Sequence, residues 1–449
     1  MAVDRTKRTK AVRSMACSGR PAVDDALCHG RPAVDDSMSD DTRHRVARPS
    51  QNQLVLPFEL DSKGFRMMSD THGRIAEVCM VNHDHDTKRV IFSLMGQMGP
   101  SVRFKILAYD DAEAKGLRQE LHDVGLADRP VTITSTEGAA NPTHHEWMRD
   151  LLTMYQSGSH TAGVPTTLSS PRFVRRVIND DGRFFRLMDE YSLLSPGGFA
   201  VATDKKVLCS PDIVGLMDVT PENAVERMSA AAGKPVEIIE PPYPERDSGD
   251  VRSLYPEHID MWATPLGPTY VDGEPRDNIL VVGNPLWGAR LLRSLPKSEK
   301  QYFSFHIMPQ VKADDREAMS VDYWADLVEG VPGLHGMIED YPDMMRERGH
   351  DVRWIPYLPL PERGQTNMAV TYNNVLQENY IGGDGAHVRN VWTPTYSLRT
   401  LDMAAHDVYG KLGYSVRPVD GFEEYVCAGG SERCLTVVLR RGRFDERLP

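Results

Sequence analysis

Cys434 is the residue whose type and setting best suit a nucleophile. It follows the glycine-containing turn 429–433 and precedes an apolar run, so the sequence predicts a thiol delivered by a flexible turn to the start of a strand at Cys434–Leu439. A thiol at such a turn can be exposed, and a cation such as Arg433 would lower its pKa. The alternative is an inert cysteine at the start of a buried strand, since single cysteines are commonly core residues.

An imidazole and a carboxylate stand two positions apart at His258 and Asp260. Residues i and i+2 of a strand point to the same face of the sheet. If the segment is a strand, both side chains face one site, where the imidazole can donate and accept protons. The alternative is a solvated strand face, or a pair whose two members only satisfy each other.

Two further segments combine polar groups with large side chains. Trp147, Arg149 and Asp150 lie in a short run after a predicted strand and suit a pocket wall, or else a surface turn with an Arg149–Asp150 ion pair. Asn373 and Asn374 interrupt an otherwise strand-like run. They either line a pocket or form a hydrogen-bonded turn.

Short strands alternating with helices must hold these segments, which predicts an α/β or α+β protein. The predicted strands are Val90–Leu94, Val102–Leu107, Val131–Thr134, Gly198–Thr203, Lys206–Ser210, Val236–Ile239, Ile279–Val282, Val370–Glu378, Tyr414–Pro418, Glu424–Cys427 and Cys434–Leu439. The predicted helices are Asp111–Val124, Pro221–Ala232, Thr400–Leu412 and most of Met319–Gly349, where Pro332 and Pro342 are expected to break the helix. Residues 1–50 have no aromatic side chain and repeat GRPAVDD, so we predict a disordered tail followed by a single domain at 51–449.

Composition excludes several classes of protein. With 52 basic and 64 acidic residues the formal charge is −12, which argues against a nucleic-acid partner and is compatible with a cationic substrate. The six cysteines are scattered and form no CxxC pair, so we expect reduced thiols in the cytoplasm and neither disulfides nor a zinc site.

No cofactor or membrane partner is predicted. No apolar run approaches the roughly 20 residues that span a bilayer, and no dinucleotide-binding or phosphate-binding glycine motif stands out. The run His83–Asp86 could bind a metal ion, but it is better interpreted as a polar loop. The sequence leaves open whether the protein forms a homo-oligomer.

Four segments, taken in their order along the chain, resemble the guanidine-modifying (pentein) superfamily of agmatine, peptidylarginine and arginine deiminases and amidinotransferases. They are WMRD at 147–150, HIDMW at 258–262, TYNN at 371–374 and GGSERCLTVVLRR at 429–441. The resemblance extends over roughly residues 85–441. It implies a pentein-type pseudo-fivefold α/β propeller of ββαβ-type units around a central site.

The resemblance also implies a reaction. Asp150 and Asp260 would hold a planar guanidinium by charge-assisted hydrogen bonds, Cys434 would attack its carbon, and His258 would act as acid and then base. Hydrolysis of the thiouronium intermediate would release ammonia and a ureido product from arginine, agmatine or a peptide's arginine side chain. Trp147, Arg149, Asn373, Asn374 and Arg433 are the candidate substrate-binding residues.

Two departures from the superfamily pattern keep alternatives open. Arg433 stands where a histidine usually precedes the nucleophile, and Ser195–Gly198 stands where many members have Glu-Gly-Gly. The acid that would orient His258 is therefore absent or replaced, for example by Asp189 or Glu190. An amidinotransferase, which passes the amidino group to an amine, and a non-catalytic guanidinium-binding protein are the rival interpretations.

Overall fold

The computed structural model describes residues 64–136, 147–166, 185–187, 197–243, 254–271, 274–308, 320–360, 369–426 and 430–442. The predicted N-terminal tail lies outside these residues, and so do Asp189 and Glu190. The predicted mixed α/β class is confirmed.

Strands and short helices alternate along the described chain. The strands are β1 Arg66–Met67, β2 Ile75–Val81, β3 Arg103–Ala108, β4 Val131–Ser135, β5 Leu152–Ser157, β6 His160–Pro165, β7 Phe185–Leu187, β8 Ala200–Ala202, β9 Val207–Cys209, β10 Val236–Ile238, β11 Ala263–Pro265, β12 Thr269–Val271, β13 Glu274–Arg276, β14 Ile279–Asn284, β15 Asp351–Pro359, β16 Ala369–Thr371, β17 Leu376–Ile381, β18 His387–Pro394, β19 Ser415–Val419 and β20 Thr436–Arg441. The α-helices are α1 His85–Gln97, α2 Asp111–Asp123, α3 Met148–Leu151, α4 Asp212–Met217, α5 Pro221–Ala232, α6 Pro285–Ser294, α7 Lys297–Tyr302, α8 Val321–Glu329, α9 Leu334–Glu347, α10 Arg399–Lys411 and α11 Glu432–Leu435. Short 3₁₀ turns occur at Gly197–Phe199, Ile259–Met261 and Glu423–Tyr425, and a π-helix at Phe303–Ile307.

Among the residues that the structure describes, five sheets contain the same three-stranded unit. In each unit the first strand pairs antiparallel with the second, and the second pairs parallel with the third. The units are β5-β6-β7, β8-β9-β10, β11-β14-β15, β17-β18-β19 and β20-β2-β3. A parallel pair needs a crossover connection, which is usually helical. Helices supply it between β2 and β3, β9 and β10, β14 and β15, and β18 and β19.

The last unit joins the two ends of the described chain. β20 pairs with β2, so a strand that ends at Arg441 is the antiparallel neighbour of one that starts at Ile75. The loop that carries Cys434 is thereby attached to the N-terminal part of the sheet system. This pairing matters for the site, because it brings the segment that carries Cys434, the last candidate segment along the chain, close to the segment that carries Asp150, the first.

The burial of β14 shows why these strands are apolar. All six of its residues are buried, and its parallel neighbour β15 contacts α6, α9 and α10. A parallel strand covered on both faces forms a continuous apolar run rather than an alternating one. Among the described residues, no helix is both long and apolar enough to cross a bilayer. The cytoplasmic location stays a prediction.

Four local predictions were wrong. Val90–Leu94 lies inside α1, where Val90, Ile91 and Leu94 share the buried face at helical spacing and Asp84 caps the helix by accepting from the Thr87 N–H. The expected polar loop at His83–Asp86 is therefore the start of this helix. The expected strand at Glu424–Cys427 begins instead with a 3₁₀ turn. Pro342 lies within α9 without ending it.

Candidate active site

The functional segments occupy equivalent positions in the five units. Each lies immediately before the first strand of its unit: Asp150 before β5, Gly197–Phe199 before β8, His258 and Asp260 before β11, Asn373 and Asn374 before β17, and Cys434 before β20. Residues far apart in the sequence are thus delivered to one place by the same local architecture.

Cys434, His258 and Asp260 converge. One donor atom from each lies within 4.8 Å of the others, and the Cys434 Sγ is 3.6 Å from Asp260 Oδ2. The side-chain amide of Asn374 fixes the cysteine, because its Nδ2 donates to Sγ at 3.0 Å and its Oδ1 accepts from the Cys434 N–H at 3.1 Å. The chain therefore brings a thiol, an imidazole and a carboxylate within reach of one small group.

The local geometry differs from the predicted strands. His258 precedes the 3₁₀ turn Ile259–Met261, so it and Asp260 do not share a site through the alternation of a strand. Cys434 lies in the one-turn helix α11, and β20 begins two residues later.

The pair Gly197-Gly198 makes room for the imidazole and the Arg149 backbone. A Cβ on Gly198 would lie 2.2 Å from His258 Nδ1, and one on Gly197 would lie 2.3 Å from the Arg149 carbonyl oxygen. The Phe199 ring packs edge-on against the His258 ring at a centroid distance of 4.7 Å. The glycines of the segment Ser195–Gly198 thus shape the pocket of His258.

A buried network of two arginines and two aspartates lies beneath the thiol. Arg433 bonds through Nη1 to Asp260 and through Nη2 to Asp70 at 3.0 Å, and Arg149 bonds to the same Asp70 oxygen at 3.0 Å. Burial alone would raise the pKa of Asp70, but the two guanidinium groups outweigh it and hold that pKa well below its usual range. Asp70 is a site residue that no sequence motif indicated.

Asp150 retains unused hydrogen-bonding capacity. Among the described residues, Asp150 Oδ1 and Asp260 Oδ1 have no hydrogen-bond partner although both atoms are buried. Burial raises the pKa of Asp150, and the nearby Asp260 adds to this, while His258 and the Gly198 N–H oppose it. Buried carboxylate oxygens normally have partners, so these two are suited to a ligand that donates hydrogen bonds.

The thiol of Cys434 is buried in the site, and its surroundings disfavour the ionised form. Its exposed fraction is 2%, and burial raises its pKa well above the usual range, assisted by Asp260 and Asp150 and opposed by Arg433. A cation bound beside it would favour the thiolate. His258, Asp260 and Cys434 are also a possible donor set for a metal ion, but Arg433 already places a positive charge on the Asp260 oxygen nearest the sulfur.

The other predicted site residues have different surroundings. Trp147 packs against Gly430, where a Cβ would lie 2.2 Å from the indole, and edge-on against Tyr425. Asn373 donates to Thr264 Oγ1 and to the Val281 carbonyl, so its amide nitrogen belongs to the frame around the site.

Several solved structures similar to this chain are named as deiminases. The agmatine deiminase of C. jejuni is 13% identical and has a TM-score of 0.51, with 86% of this chain and 97% of that one covered. The agmatine deiminase of Enterococcus faecalis is 13% identical with a TM-score of 0.50, covering 84% and 96%. The chain shares the fold of the agmatine deiminases. A structure named as a peptidyl-arginine deiminase is similar to the same degree, at 14% identity and a TM-score of 0.51, covering 84% and 99%.

The predicted resemblance to agmatine and peptidyl-arginine deiminases is thus confirmed at the level of the fold. No protein-family model and no curated protein sequence matches the chain. At such identities the common fold is what the comparison shows, and the chemistry has to be argued from this chain's own residues.

If His258 is the acid and base of a reaction at Cys434, as the sequence resemblance implies, Gly198→Ala should lower kcat by roughly 100-fold while leaving KM within a few-fold. The added methyl group must displace the His258 ring, and misplacing a catalytic group by about 1 Å can cost a factor of that order. Steady-state kinetics measure the effect. The matched control is Gly96→Ala in α1, where a Cβ meets open space. An equal loss of kcat in both variants would contradict the assignment of His258 as a catalytic group.

Glu432 lies next to Arg433 but takes no part in its network. It is fully buried, neither carboxylate oxygen has a hydrogen-bond partner among the described residues, and burial raises its pKa well above the usual range. The folded protein thus keeps a proton that the unfolded chain releases near pH 4.5. Stability associated with this group is therefore lost as pH rises above that value.

We therefore expect Glu432→Gln to increase the free energy of unfolding at pH 8 by on the order of 2 kcal/mol, with a smaller gain at pH 5. Urea denaturation at both pH values measures it. Glu347→Gln on the exposed side of α9 is the control and should change neither value. A gain of equal size at pH 5 and pH 8 would show that ionisation of Glu432 is not the cause.

Proposed function

We propose that this protein is a cysteine hydrolase that deiminates a guanidinium group, releasing ammonia and leaving a ureido product. The observation that carries the proposal is the convergence of Cys434, His258 and Asp260 within 4.8 Å of one another, with Asn374 holding the sulfur. The fold shared with agmatine deiminases supports it.

The proposed substrate group is a planar cation held by two carboxylates. Asp150 and Asp260 each have one buried oxygen free of hydrogen bonds in the described residues, and a guanidinium presents N–H donors in a fixed plane. These contacts keep the guanidinium charged, so its carbon stays open to attack. The arriving charge also lowers the pKa of the Cys434 thiol, and the proton passes to His258.

The reaction then proceeds in two steps. The sulfur forms a bond to the guanidinium carbon, and the C–N bond to the departing nitrogen breaks as His258 returns the proton, which releases ammonia. His258 next removes one proton from water as the oxygen bonds to the same carbon. The carbon–sulfur bond then breaks, the hydroxyl proton passes to the sulfur to leave the ureido carbonyl and regenerate the Cys434 thiol, and His258 releases its proton to solvent. Arg433 stays beside the sulfur through both steps and stabilises its negative charge.

Arg149 and Arg433 are not substrate ligands in this scheme. Both are bonded to Asp70, and Arg433 also bonds to Asp260 and to the carbonyls of Gly197 and Ala200. We assign them to the support of the site. Trp147 and Asn374 remain the proposed neighbours of the substrate.

The test is an ammonia assay with agmatine, free arginine and an arginine-containing peptide as separate substrates, without and with an added primary amine. Release without the amine, together with a ureido product, supports hydrolysis and identifies the substrate class. Turnover that requires the amine and yields a new guanidine would replace hydrolysis by amidino transfer.

The rival non-catalytic function rests on Arg433, whose guanidinium already bonds to Asp260. A haloacetamidine is a cationic probe that alkylates an activated thiolate in a guanidinium site. Peptide mapping should find Cys434 labelled much faster than Cys209, which is buried in a hydrophobic core where burial raises its pKa to about 12. Equal, slow labelling of both, with guanidine binding but no product, would establish a binding protein.

A further inference from the structure

The segment Met68–Gly73, which we call the central segment, contacts a strand or adjoining loop of all five units. In β8, β11 and β20 it contacts the end of the first strand or the loop just after it, and in β5 and β17 it contacts a residue within the strand. Its partners are the Met154 carbonyl in β5, the Ala202 carbonyl in β8, Gly267 just after β11, Asn379 in β17 and Arg441 in β20. The central segment is therefore held by a hydrogen bond or a close contact from each of the five units.

Asp70 is the acidic residue of this segment, and its side chain points toward the candidate active site. One oxygen, Oδ2, accepts from Arg149 Nη2 at 3.0 Å, from Arg433 Nη2 at 3.0 Å and from the Ala202 N–H at 2.9 Å. Arg433 bonds with its other terminal nitrogen to Asp260. A chain of hydrogen bonds thus runs from the central segment to the carboxylate beside the Cys434 sulfur.

The charges in this network balance only if Asp70 is counted. Arg149 and Arg433 contribute two positive charges, and Asp70 and Asp260 contribute two negative ones. The two arginines repel each other, since the charge of Arg433 opposes that of Arg149, and Asp70 is the carboxylate that holds both. Arg441 also interacts electrostatically with Asp70 and with both arginines, and the carboxylate of Glu378 lies close enough to oppose its charge. With the four groups of the network neutral as a set and Arg441 opposed by Glu378, Asp150 is left to balance an incoming cation.

We propose that Asp70 is a positioning residue that holds Arg149 and Arg433 and sets the charge of the site so that it accepts a cationic guanidine. This inference rests on the proposed function. Without the Asp70 charge, two buried arginines face one aspartate of the network, and the potential at Cys434 becomes more positive. The site then disfavours a cation while the thiolate itself is favoured.

Two alkylating agents of nearly the same shape separate these effects: chloroacetamidine, a cation, and chloroacetamide, which is neutral. The quantity to measure is the rate constant of chloroacetamidine at Cys434 divided by that of chloroacetamide, obtained by peptide mapping of the full-length protein. Asp70→Asn should lower this ratio by about 10-fold, as expected for one unit charge several ångströms away in a partly screened site. The pH midpoint of the neutral reagent should also move to lower pH. An unchanged ratio would overturn the proposal.

A merely structural role would not move the ratio, because a loosened site admits both reagents. Thr71→Val is the control: it removes a buried hydroxyl from the central segment without altering charge, and the ratio should stay as in the parent protein. A fall as large as that in Asp70→Asn would show that packing, not charge, is responsible.

A second pair of variants tests the proposal if Asp70→Asn alone fails to fold. Arg149→Gln alone should raise the ratio, and the double variant Asp70→Asn with Arg149→Gln should return it to the parent value, since one charge of each sign is removed. If the double variant gave the same ratio as Arg149→Gln alone, the proposal would be overturned. Because alkylation needs no turnover, these outcomes stand even if no guanidine is deiminated, so failure of the proposed function is seen separately.

Discussion

Replacing Cys434 by serine is expected to abolish measurable ammonia release, lowering kcat by at least about 10⁴-fold with little change in substrate affinity. A serine hydroxyl is far harder to ionise than a thiol, and residues that act as one catalytic unit lose most of the rate when any one is removed. Asn374 can still hydrogen-bond to the hydroxyl as it does to the sulfur, so the pocket should keep its shape. Kinetics and isothermal calorimetry with the same guanidine measure the two quantities.

Cys209→Ala is the matched control for this prediction. Cys209 is buried in β9 in a separate hydrophobic cluster, so its replacement should lower stability modestly and leave kcat within about two-fold. Intact-protein mass spectrometry after rapid acid quench adds a second criterion. A covalent adduct should appear in the parent protein and be absent from Cys434→Ser. Residual turnover above about 1% in Cys434→Ser would contradict the assignment of the nucleophile.

The second large effect is expected at Asp150. Asp150→Asn should raise KM by roughly 100-fold or more, because it removes a buried carboxylate that would hold the substrate cation by charge-assisted hydrogen bonds. The asparagine keeps the size of the side chain but offers a neutral acceptor. Steady-state kinetics across a series of guanidine concentrations measure the change.

The pH dependence of kcat/KM is a second test of the role of Asp150. Burial raises the pKa of Asp150, and only its ionised form attracts a cation. In the parent protein kcat/KM should therefore fall as pH decreases through that raised pKa. In Asp150→Asn this contribution to the acidic limb should be lost. Asp123→Asn, at the exposed end of α2, is the control. If the acidic limb of the kcat/KM profile stayed unchanged in Asp150→Asn, the limb would belong to another group and the prediction would be wrong.

Much of the local structure was predictable because its causes are local. The helix Pro221–Ala232 was predicted with its observed bounds: the Thr220 hydroxyl accepts from the Asn223 N–H at its start, and Gly233 takes the left-handed conformation at its end. The hairpin of β8 and β9 follows from two apolar runs around Asp204-Lys205. Caps, turns and apolar periodicity depend on residues within a few positions, which a sequence displays directly.

Sequence patterns alone thus determined the α/β class, most of the elements and the four segments that carry chemical groups. The tertiary structure decided how these groups meet. His258 and Asp260 share a site because a turn precedes β11, not because a strand alternates. Asp70 carries no motif and gains its importance from Arg433, 363 residues away in the chain. Such a contact depends on the packing of all five units, whereas propensity and spacing report only on near neighbours.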